Sequence, residues 1–467
     1  MKKSNVKQMR KGEAVLAVLL FFIFHSSCGQ TDLRTLLDIS EKNYPAITAK
    51  QALAEAARGE ISLEKNTLIP SLAAAYETNY ATYNNITGMS YPGTVIPISG
   101  PPSTENSDDP VPGSAASLML RWIPVTFGQR SASIAYFQKL YEKQLSEIED
   151  ISLRVKFRVI LTYLEIAATR ELIKAYQKNI ERYVFNLSQV NSLVSAGIRP
   201  AVDNLQFKGE LSRARTELIK LENLLETQME ELRELVGSEE LKDIRISGFF
   251  FQNLPVKPVN HDPADQNVPD SMVNPVLKMA WFDVEANYAR LKQINRSWTP
   301  RVTLWGTTYA RGSGISYKGE VNKLDGWSFS RYNYGVGIQV VMPILGIAHI
   351  KLKSRQQEAL IQNSESIFKN TRLALNKQEN LALNDLVSSL RIADEVPVEY
   401  EASESAYYAL QSRYNAGLID YAELIRAQYD LLNAEAGLKN AYVSSWKGLL
   451  KLAVIRGDID IFLDQAE

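Results

Sequence analysis

The sequence is poor in the residues from which disulfides and metal sites are built. Its 467 residues include one cysteine and three histidines. One cysteine excludes an internal disulfide, and so few Cys and His side chains leave no ordinary zinc site. Basic residues are not in excess, because 52 Lys and Arg face 53 Asp and Glu. That balance argues against a protein that relies on positive charge to bind nucleic acid or an anionic membrane surface.

Long apolar runs are absent as well. The run over residues 14–24 has 11 residues, whereas a bilayer-spanning helix needs roughly 20. Basic residues precede this run and small residues follow it, which predicts a secretory signal peptide over residues 1–27. Cys28 resembles the cysteine of a bacterial lipoprotein box, whose lipid would tether the mature chain to a membrane. His25 departs from that box, and the alternative is an ordinary cleavage site with an incidental thiol.

The mature chain contains an internal repeat. Pro45 and Pro275 are 230 positions apart, as are Pro70 and Pro300. Further pairs recur in the same order: Trp122-Ile123-Pro124 with Val341-Met342-Pro343, and Ala196-Gly197 with Ala416-Gly417. Such self-similarity is typical of tandem copies. We therefore predict a first repeat over residues 28–237, a Pro-rich connecting segment over 238–270, a second repeat over 271–457 and a C-terminal tail over 458–467.

Each copy is predicted to contain a first helix, a pair of strands and two long helices. The stretch from 129 to 196 contains neither Gly nor Pro, and its apolar residues recur every three or four positions, as on one face of a helix. Glycine suits the left-handed conformation that ends a helix, so turns are expected at Gly197 and Gly417. Pro397 is expected to break or kink the helix in which it lies. The predicted long helices cover 131–195, 201–236, 349–415 and 420–454.

Four segments have the alternation or the composition of strands. Residues 332–342 alternate apolar side chains with polar or small ones, which predicts a strand with two different faces. The lengths of the four segments suit tilted membrane-spanning strands, and tyrosines near their ends resemble an aromatic girdle. Four strands cannot close a barrel, so two chains would have to supply eight strands, or three chains twelve with room for a pore. The predicted pairs are about 70–83 with 115–125, and about 300–311 with 332–343.

A protein of a different class would also suit the helices, namely a lipid-tethered periplasmic coiled-coil scaffold or adaptor protein. The strand segments weigh against it, because a rod needs neither an apolar strand face nor an aromatic ring. An enzyme has the least support, since the sequence shows no nucleophile elbow and no phosphate loop. Gly335 and Gly337 lack the third glycine of a dinucleotide fingerprint, and His261 and His349 are isolated. No cofactor and no metal site are expected.

The order of these features resembles the TolC-like outer-membrane efflux protein family over essentially the whole mature chain. The resemblance is carried by the tandem repeat, the Asn-x-Pro and Asn-Pro starts of the copies, the Pro-to-Gly strand exits and two helix-turn signatures. The signatures are Ser195-Ala196-Gly197 followed by Asp203, and Tyr414-Asn415-Ala416-Gly417 followed by Glu423.

The resemblance implies a mixed α and β membrane protein. A homotrimer would share a twelve-stranded β-barrel in the outer membrane, continued by a long α-helical barrel that forms a periplasmic tunnel. Such a protein is the passive exit duct of a tripartite efflux pump or a type I secretion system. It works with a periplasmic adaptor protein and an inner-membrane transporter, and it catalyses nothing itself.

The resemblance also implies a periplasmic gate near the two helix turns, whose glycines Gly197 and Gly417 would mark the tips that an adaptor grips. Asp203 and Glu423 each lie six residues after a turn glycine, so a trimer would place six carboxylates near one level. Converging carboxylates favour cations. The alternative is that these acids are solvated or capping groups near helix starts. The gate candidates are Asp203, Tyr414, Glu423 and Arg426.

Two positions depart from the gate of other family members. Ile419 replaces an arginine that some members use in the closing network. Arg426 stands where some members carry a second acid, so three Arg426 side chains in a trimer would offset the acidic ring.

Overall fold

A computed structural model describes residues 32–84, 105–237, 247–258 and 272–466. The predicted signal peptide, Cys28, His261 and most of the connecting segment lie outside these described residues. Among the helices of the described residues, none has a stretch long and apolar enough to cross a bilayer.

The elements follow one another in the order that the repeat predicts. The helices are α1 Leu33–Asn43, α2 Pro45–Asn66, α3 Gln129–Ser195, α4 Ala201–Val236, α5 Pro275–Asn295, α6 Ile347–Asn415, α7 Tyr421–Arg456 and α8 Asp460–Leu463. The strands are β1 Ser71–Ala81, β2 Val111–Val125, β3 Arg301–Ser313 and β4 Arg331–Val341. The bounds of the four long helices agree with the predicted ones to within about two residues, which is the ordinary uncertainty of a helix end.

Helix α6 continues through Pro397, so of the two expected outcomes, a break or a kink, the break is wrong. A proline inside a helix removes one backbone hydrogen bond and costs about 3 kcal/mol. The helix is anchored on both sides of the proline by fully buried side chains, Ala393 before it and Tyr407 after it. Packing on either side therefore offsets the loss of one bond.

The described residues form two compact units. The first takes in the described residues up to Ala52, then Ser146–Lys278, and those from Asn370 onward. The second consists of Leu53–Leu145 and Met279–Lys369. The first unit is helical, and the second holds the strands with the helix segments that flank them in the chain.

An aromatic cluster lies in the main core of the first unit. A short 3-10 turn at Gly248–Phe251 inserts Phe250 against Trp446 of α7, with the ring centroids 5.2 Å apart and the rings at 88°. Tyr163 of α3 and Phe462 of α8 contact the same phenyl ring. All four side chains are at most 2% exposed. Edge-to-face packing of such large rings stabilises the core beyond the effect of burial alone.

The last helix of each copy ends at a glycine that packs against an asparagine. Gly237 ends α4 with φ of 65°, and Gly457 ends α7 with φ of 80°, a conformation that favours glycine. A Cβ atom on Gly457 would lie 2.6 Å from the Cα atom of Asn274, and one on Gly237 would lie 3.1 Å from the Cβ atom of Asn43. Asn274 directly precedes the first residue of α5, and Asn43 lies two residues before the first residue of α2. The repeat therefore extends to these contacts.

The strands of the second unit form one antiparallel sheet in the order β1-β2-β3-β4. Strand β1 pairs with β2, and β3 pairs with β4, as the sequence predicts. Strand β2 also pairs with β3, from Gly113 opposite Ser313 to Val125 opposite Val302. This third pairing joins the two copies of the repeat into a single sheet.

Candidate functional site

One face of the sheet is apolar across all four strands. The register places Leu72 opposite Leu120, Leu120 opposite Gly306, and Gly306 opposite Val336. The next row places Leu304 between Trp122 and Ile338. Because side chains alternate along a strand, most of the apolar residues of each strand fall on this one face. Most of them are exposed, and Ile338 is 72% accessible.

The opposite face consists mostly of polar or small residues. It includes Glu77, Arg121 and Gln339, which are offset by one position from the apolar rows. Trp305 also lies on this face and crosses the neighbouring strand, where a Cβ atom on Gly337 would lie 2.6 Å from its indole ring. The glycine pair noted in the sequence therefore makes room for an indole ring.

Strands β1 and β4 form the two edges of the sheet, and neither has a further strand partner among the described residues. An exposed apolar face of this extent is unfavourable in water. In hydrocarbon the face would be favourable, but the open edges would leave backbone groups without hydrogen bonds, at several kcal/mol each. Among the described residues, no segment pairs with either edge, and most of the apolar face stays exposed.

The two predicted helix turns have the same backbone geometry. Gly197 and Gly417 have φ of 72° and 78°. In each turn the residue after the glycine donates its N–H to a carbonyl five residues earlier, Ile198 to Leu193 and Leu418 to Arg413, both at 2.9 Å. This is the Schellman pattern. A Cβ atom on either glycine would meet nothing within 4 Å, so these turns are open to a partner.

The helices that follow the two turns start differently. Helix α7 has Asp420 at its N-cap, and the Asp420 carboxylate accepts the backbone N–H of Glu423 at 3.0 Å. Helix α4 has Pro200 at the same place and no side-chain cap. The side chain of Glu423 is exposed. Asp420 is a capping residue that the repeat pattern does not reveal, because the first copy has proline there.

Asp203 is buried, although it occupies the same place in the repeat as Glu423. Its carboxylate accepts the hydroxyl hydrogen of Tyr414 at 3.1 Å. Tyr414 itself is 1% exposed and Asp203 is 7% exposed. Burial first, and the negative charge of Asp203 second, raise the pKa of Tyr414 to about 12. The pair joins the start of α4 to the end of α6.

Arg199 completes this pair, although the sequence interpretation did not include it. Its guanidinium donates to the carbonyl oxygen of Ile419 at 2.5 Å and to that of Tyr414 at 3.1 Å. It also lies 4.5 Å from the centroid of the Tyr414 ring. Arg199 and Ile419 are separated by 220 positions, the same offset as the turn glycines, and this offset was the signal that could have identified it. The first copy thus supplies an arginine where the second has isoleucine.

Glu423 and Arg426 lie apart from the buried pair. Both line an open groove of about 440 Å³ on the surface of α6 and α7, together with Asp430. No ion pair with another described residue fixes either of them. The four predicted gate residues therefore separate into a buried set, Asp203 and Tyr414, and an exposed set, Glu423 and Arg426.

A buried polar ladder lies farther along the same helices. The Asn186 amide of α3 donates to the Tyr407 hydroxyl at 3.2 Å and to the Gln428 carbonyl at 3.0 Å. Gln428 in turn donates to the Asn179 side chain at 2.9 Å, and Gln411 donates to Asn186 at 2.9 Å. Amides paired in this way fix the register of α3 against α6 and α7, because a shift would leave buried polar groups unpaired.

A buried carboxylate strengthens the attachment of α3 to α7. Glu435 is 6% exposed, and its two oxygens lie 3.3 Å from Lys178 Nζ and 3.3 Å from an Arg182 guanidinium nitrogen. Removing one partner of a buried ion pair lowers the stability of the fold by about 3–5 kcal/mol, because the remaining buried charge is left without a partner. Within the described segments, no group of three or more Cys, His, Asp or Glu side chains could hold a metal ion.

Comparison with known proteins links these features to a family. The family model described as outer membrane efflux protein matches residues 36–238. No curated protein sequence matches the chain.

The fold is similar to those of several solved outer-membrane proteins. The outer membrane protein VceC from Vibrio cholerae is 14% identical, with a TM-score of 0.72 over 91% of this chain and 96% of that one. The CmeC outer membrane channel of Campylobacter jejuni is 14% identical, with a TM-score of 0.73 over 91% and 85%. The open state of the MtrE outer membrane channel of Neisseria gonorrhoeae is 14% identical, with a TM-score of 0.71 over 92% and 89%.

Proposed function

We infer that this chain belongs to the outer membrane efflux protein family, whose model matches residues 36–238. It is the proposed outer-membrane exit duct of a tripartite efflux pump or a type I secretion system. It is a passive conduit and not an enzyme. A periplasmic adaptor and an inner-membrane transporter would load it and supply the energy. The proposed duct lies in the outer membrane and extends into the periplasm, and a lipid on Cys28 is the proposed further anchor.

The observation that carries this proposal is the apolar face of the sheet. Its exposed rows, from Leu72 to Ile338, would face lipid, while Glu77, Arg121 and Gln339 would face a polar lumen. This alternation is the pattern of an outer-membrane barrel strand. A scaffold or adaptor that stays in the periplasm has no use for such a face.

The two open edges support a homotrimer. One sheet contributes four strands, and a barrel of eight leaves an interior that side chains fill. Three copies supply twelve strands, with β4 of one copy paired to β1 of the next. This arrangement satisfies the edge backbone groups that hydrocarbon would otherwise leave unpaired.

The turns at Gly197 and Gly417 are the proposed tips that an adaptor contacts. The Asp203–Tyr414 pair beside them is the proposed latch that holds the closed state, and Arg199 orients Tyr414 within it. Glu423 and Arg426, which are exposed, would line the constriction. Opening would move the helix ends apart, as in other helix-shift transitions.

A first experiment measures the mass of the mature protein in detergent by light scattering, corrected for bound detergent. A trimer is expected. A monomer that is soluble without detergent would overturn the duct and make a periplasmic scaffold the better interpretation.

Two neighbouring substitutions then test which face of the sheet meets lipid. Ile338→Arg places a charge on the apolar face, at a cost of about 2–4 kcal/mol near the bilayer centre, so trimer yield in the outer membrane should fall. Gln339→Arg places the same charge on the polar face and should assemble normally. Equal yields of the two variants would contradict the assignment of the faces.

A further inference from the structure

Helix α6 begins with cations rather than acids. It starts at Ile347, and Lys351, Lys353 and Arg355 follow within nine residues, with no acid before Glu358. The N-terminus of a helix carries a partial positive charge and favours acids, so cations near it are unfavourable unless an anion lies close by.

None of these three cations is neutralised by the described part of the chain. Lys351, Lys353 and Arg355 are exposed and form no ion pair or hydrogen bond with another described residue. The first copy differs at the corresponding strand exit. There Arg130 of α3 donates to the carbonyl oxygens of Ile123 at 2.7 Å and Pro124 at 3.5 Å, so its hydrogen bonds are made within the fold.

Two of the three cations line a groove. The groove has a volume of about 520 Å³ and lies between the end of α5 and the start of α6. Its lining combines Lys351 and Arg355, one helical turn apart, with the half-exposed indole of Trp298. Glu358 also lines the groove, so the two cations there exceed the acid by one charge. Lys353, on the same helix, does not line it. Ser354 and Asn295 also line the groove, and the Ser354 hydroxyl donates to the Asn295 side chain at 2.7 Å.

The chain segment that leads from β4 to this groove is apolar. Ile344 is 71% exposed and Leu345 is 96% exposed, and both follow the exposed apolar row of β4. Along the chain, a surface suited to hydrocarbon is therefore followed by the paired cations, and Trp298 lines the same groove as these cations. Trp at the interface and Lys or Arg beyond it is the order of groups from the bilayer interior to the lipid headgroups.

We propose that this groove binds the headgroup of an anionic phospholipid in the leaflet from which the helices emerge. The inference rests on the proposed function, because it needs the strands to span a membrane. Lys351 and Arg355 would donate charge-assisted hydrogen bonds to the phosphate, Trp298 would lie at the level of the glycerol backbone, and Ile344 and Leu345 would contact the acyl chains. The net charge of the whole chain is near zero, so composition alone does not indicate the local cluster of cations at the start of α6.

The test uses the full-length detergent-purified protein and native mass spectrometry with added phosphatidylglycerol or phosphatidylcholine. We expect up to three tightly held phosphatidylglycerol molecules per trimer and weaker retention of phosphatidylcholine. Removal of one Lys or Arg near an anionic surface should weaken binding about fivefold. Lys351→Gln should therefore show this loss, and Lys351→Gln with Arg355→Gln together should show a loss of about 25-fold.

Lys353→Gln is the matched control, because it removes the same charge from the same helix outside the groove and should change binding far less. Equal retention of the two lipids, or equal losses in Lys351→Gln and Lys353→Gln, would overturn the inference. A cross-link from residue 351 to a neighbouring copy would overturn it as well, since the groove would then be a subunit contact. Light scattering on the same samples separates the two failures: intact trimers without lipid preference refute the groove alone, and absence of trimers refutes the duct.

Discussion

The proposed latch between Tyr414 and Asp203 makes the sharpest prediction about opening. Tyr414→Phe keeps the buried ring and removes the hydroxyl that donates to Asp203 at 3.1 Å. A hydrogen bond to a charged group contributes about 1.5–3 kcal/mol. If opening separates α4 from the end of α6, the closed state loses this energy and the open state does not. The open population should then rise roughly 10- to 150-fold.

The assay is single-channel recording of purified trimers in planar bilayers. Tyr414→Phe should open more often with unchanged conductance, because the pore wall keeps its charges. Tyr408→Phe is the matched control, since Tyr408 lies on the same helix and is 53% exposed. An opening frequency in Tyr414→Phe that equals wild type, with the trimer intact, would refute the latch.

The exposed and buried carboxylates should behave differently. Glu423→Gln should weaken the block of the channel by multivalent cations, whereas Asp203→Asn should raise the opening frequency and leave this block nearly unchanged. Single-channel recordings with and without the blocking ion will measure both effects. The raised pKa of Tyr414 means that the folded state holds this proton more tightly than the unfolded chain. Its contribution to stability is therefore complete below about pH 10 and is lost as pH rises toward about 12, a decline that chemical denaturation should find smaller in Tyr414→Phe. Gly417→Ala should lower the free energy of unfolding by about 1–2 kcal/mol, because alanine is strained in the left-handed conformation. Gly457→Ala should lower it further, because the new Cβ atom would also lie 2.6 Å from the backbone of Asn274. Similar denaturation midpoints for the two variants would contradict this difference.

Local patterns in the sequence were sufficient to predict the elements. The three- and four-residue spacing of apolar side chains gave the long helices, and Gly197 and Gly417 gave their ends, because a left-handed residue stops a helix wherever it stands. Strict alternation over 332–342 gave β4 and its two faces. Of the break or kink expected at Pro397, the break does not occur, because the local cost of the proline is outweighed by packing that the local pattern does not contain.

The repeat in the sequence also indicated the residues of the candidate gate, but it did not predict which of them are buried. Asp203 and Glu423 are equivalent by position, yet one is buried against Tyr414 and the other is exposed. The difference comes from contacts between residues more than 200 positions apart, such as Arg199 with the Ile419 carbonyl. A motif that is read along the chain does not show which of two like residues turns inward.

The sequence by itself determined the two copies, the helices, the strands, their turns and the apolar character of one strand face, because each depends on residues close together in the chain. Only the tertiary structure decided that β2 pairs with β3, since nothing local specifies which strands of the two copies meet. That pairing brings the apolar rows of four strands onto one face. It also leaves two edges without a partner strand among the described residues, and these edges are the physical reason why we propose a barrel shared between chains.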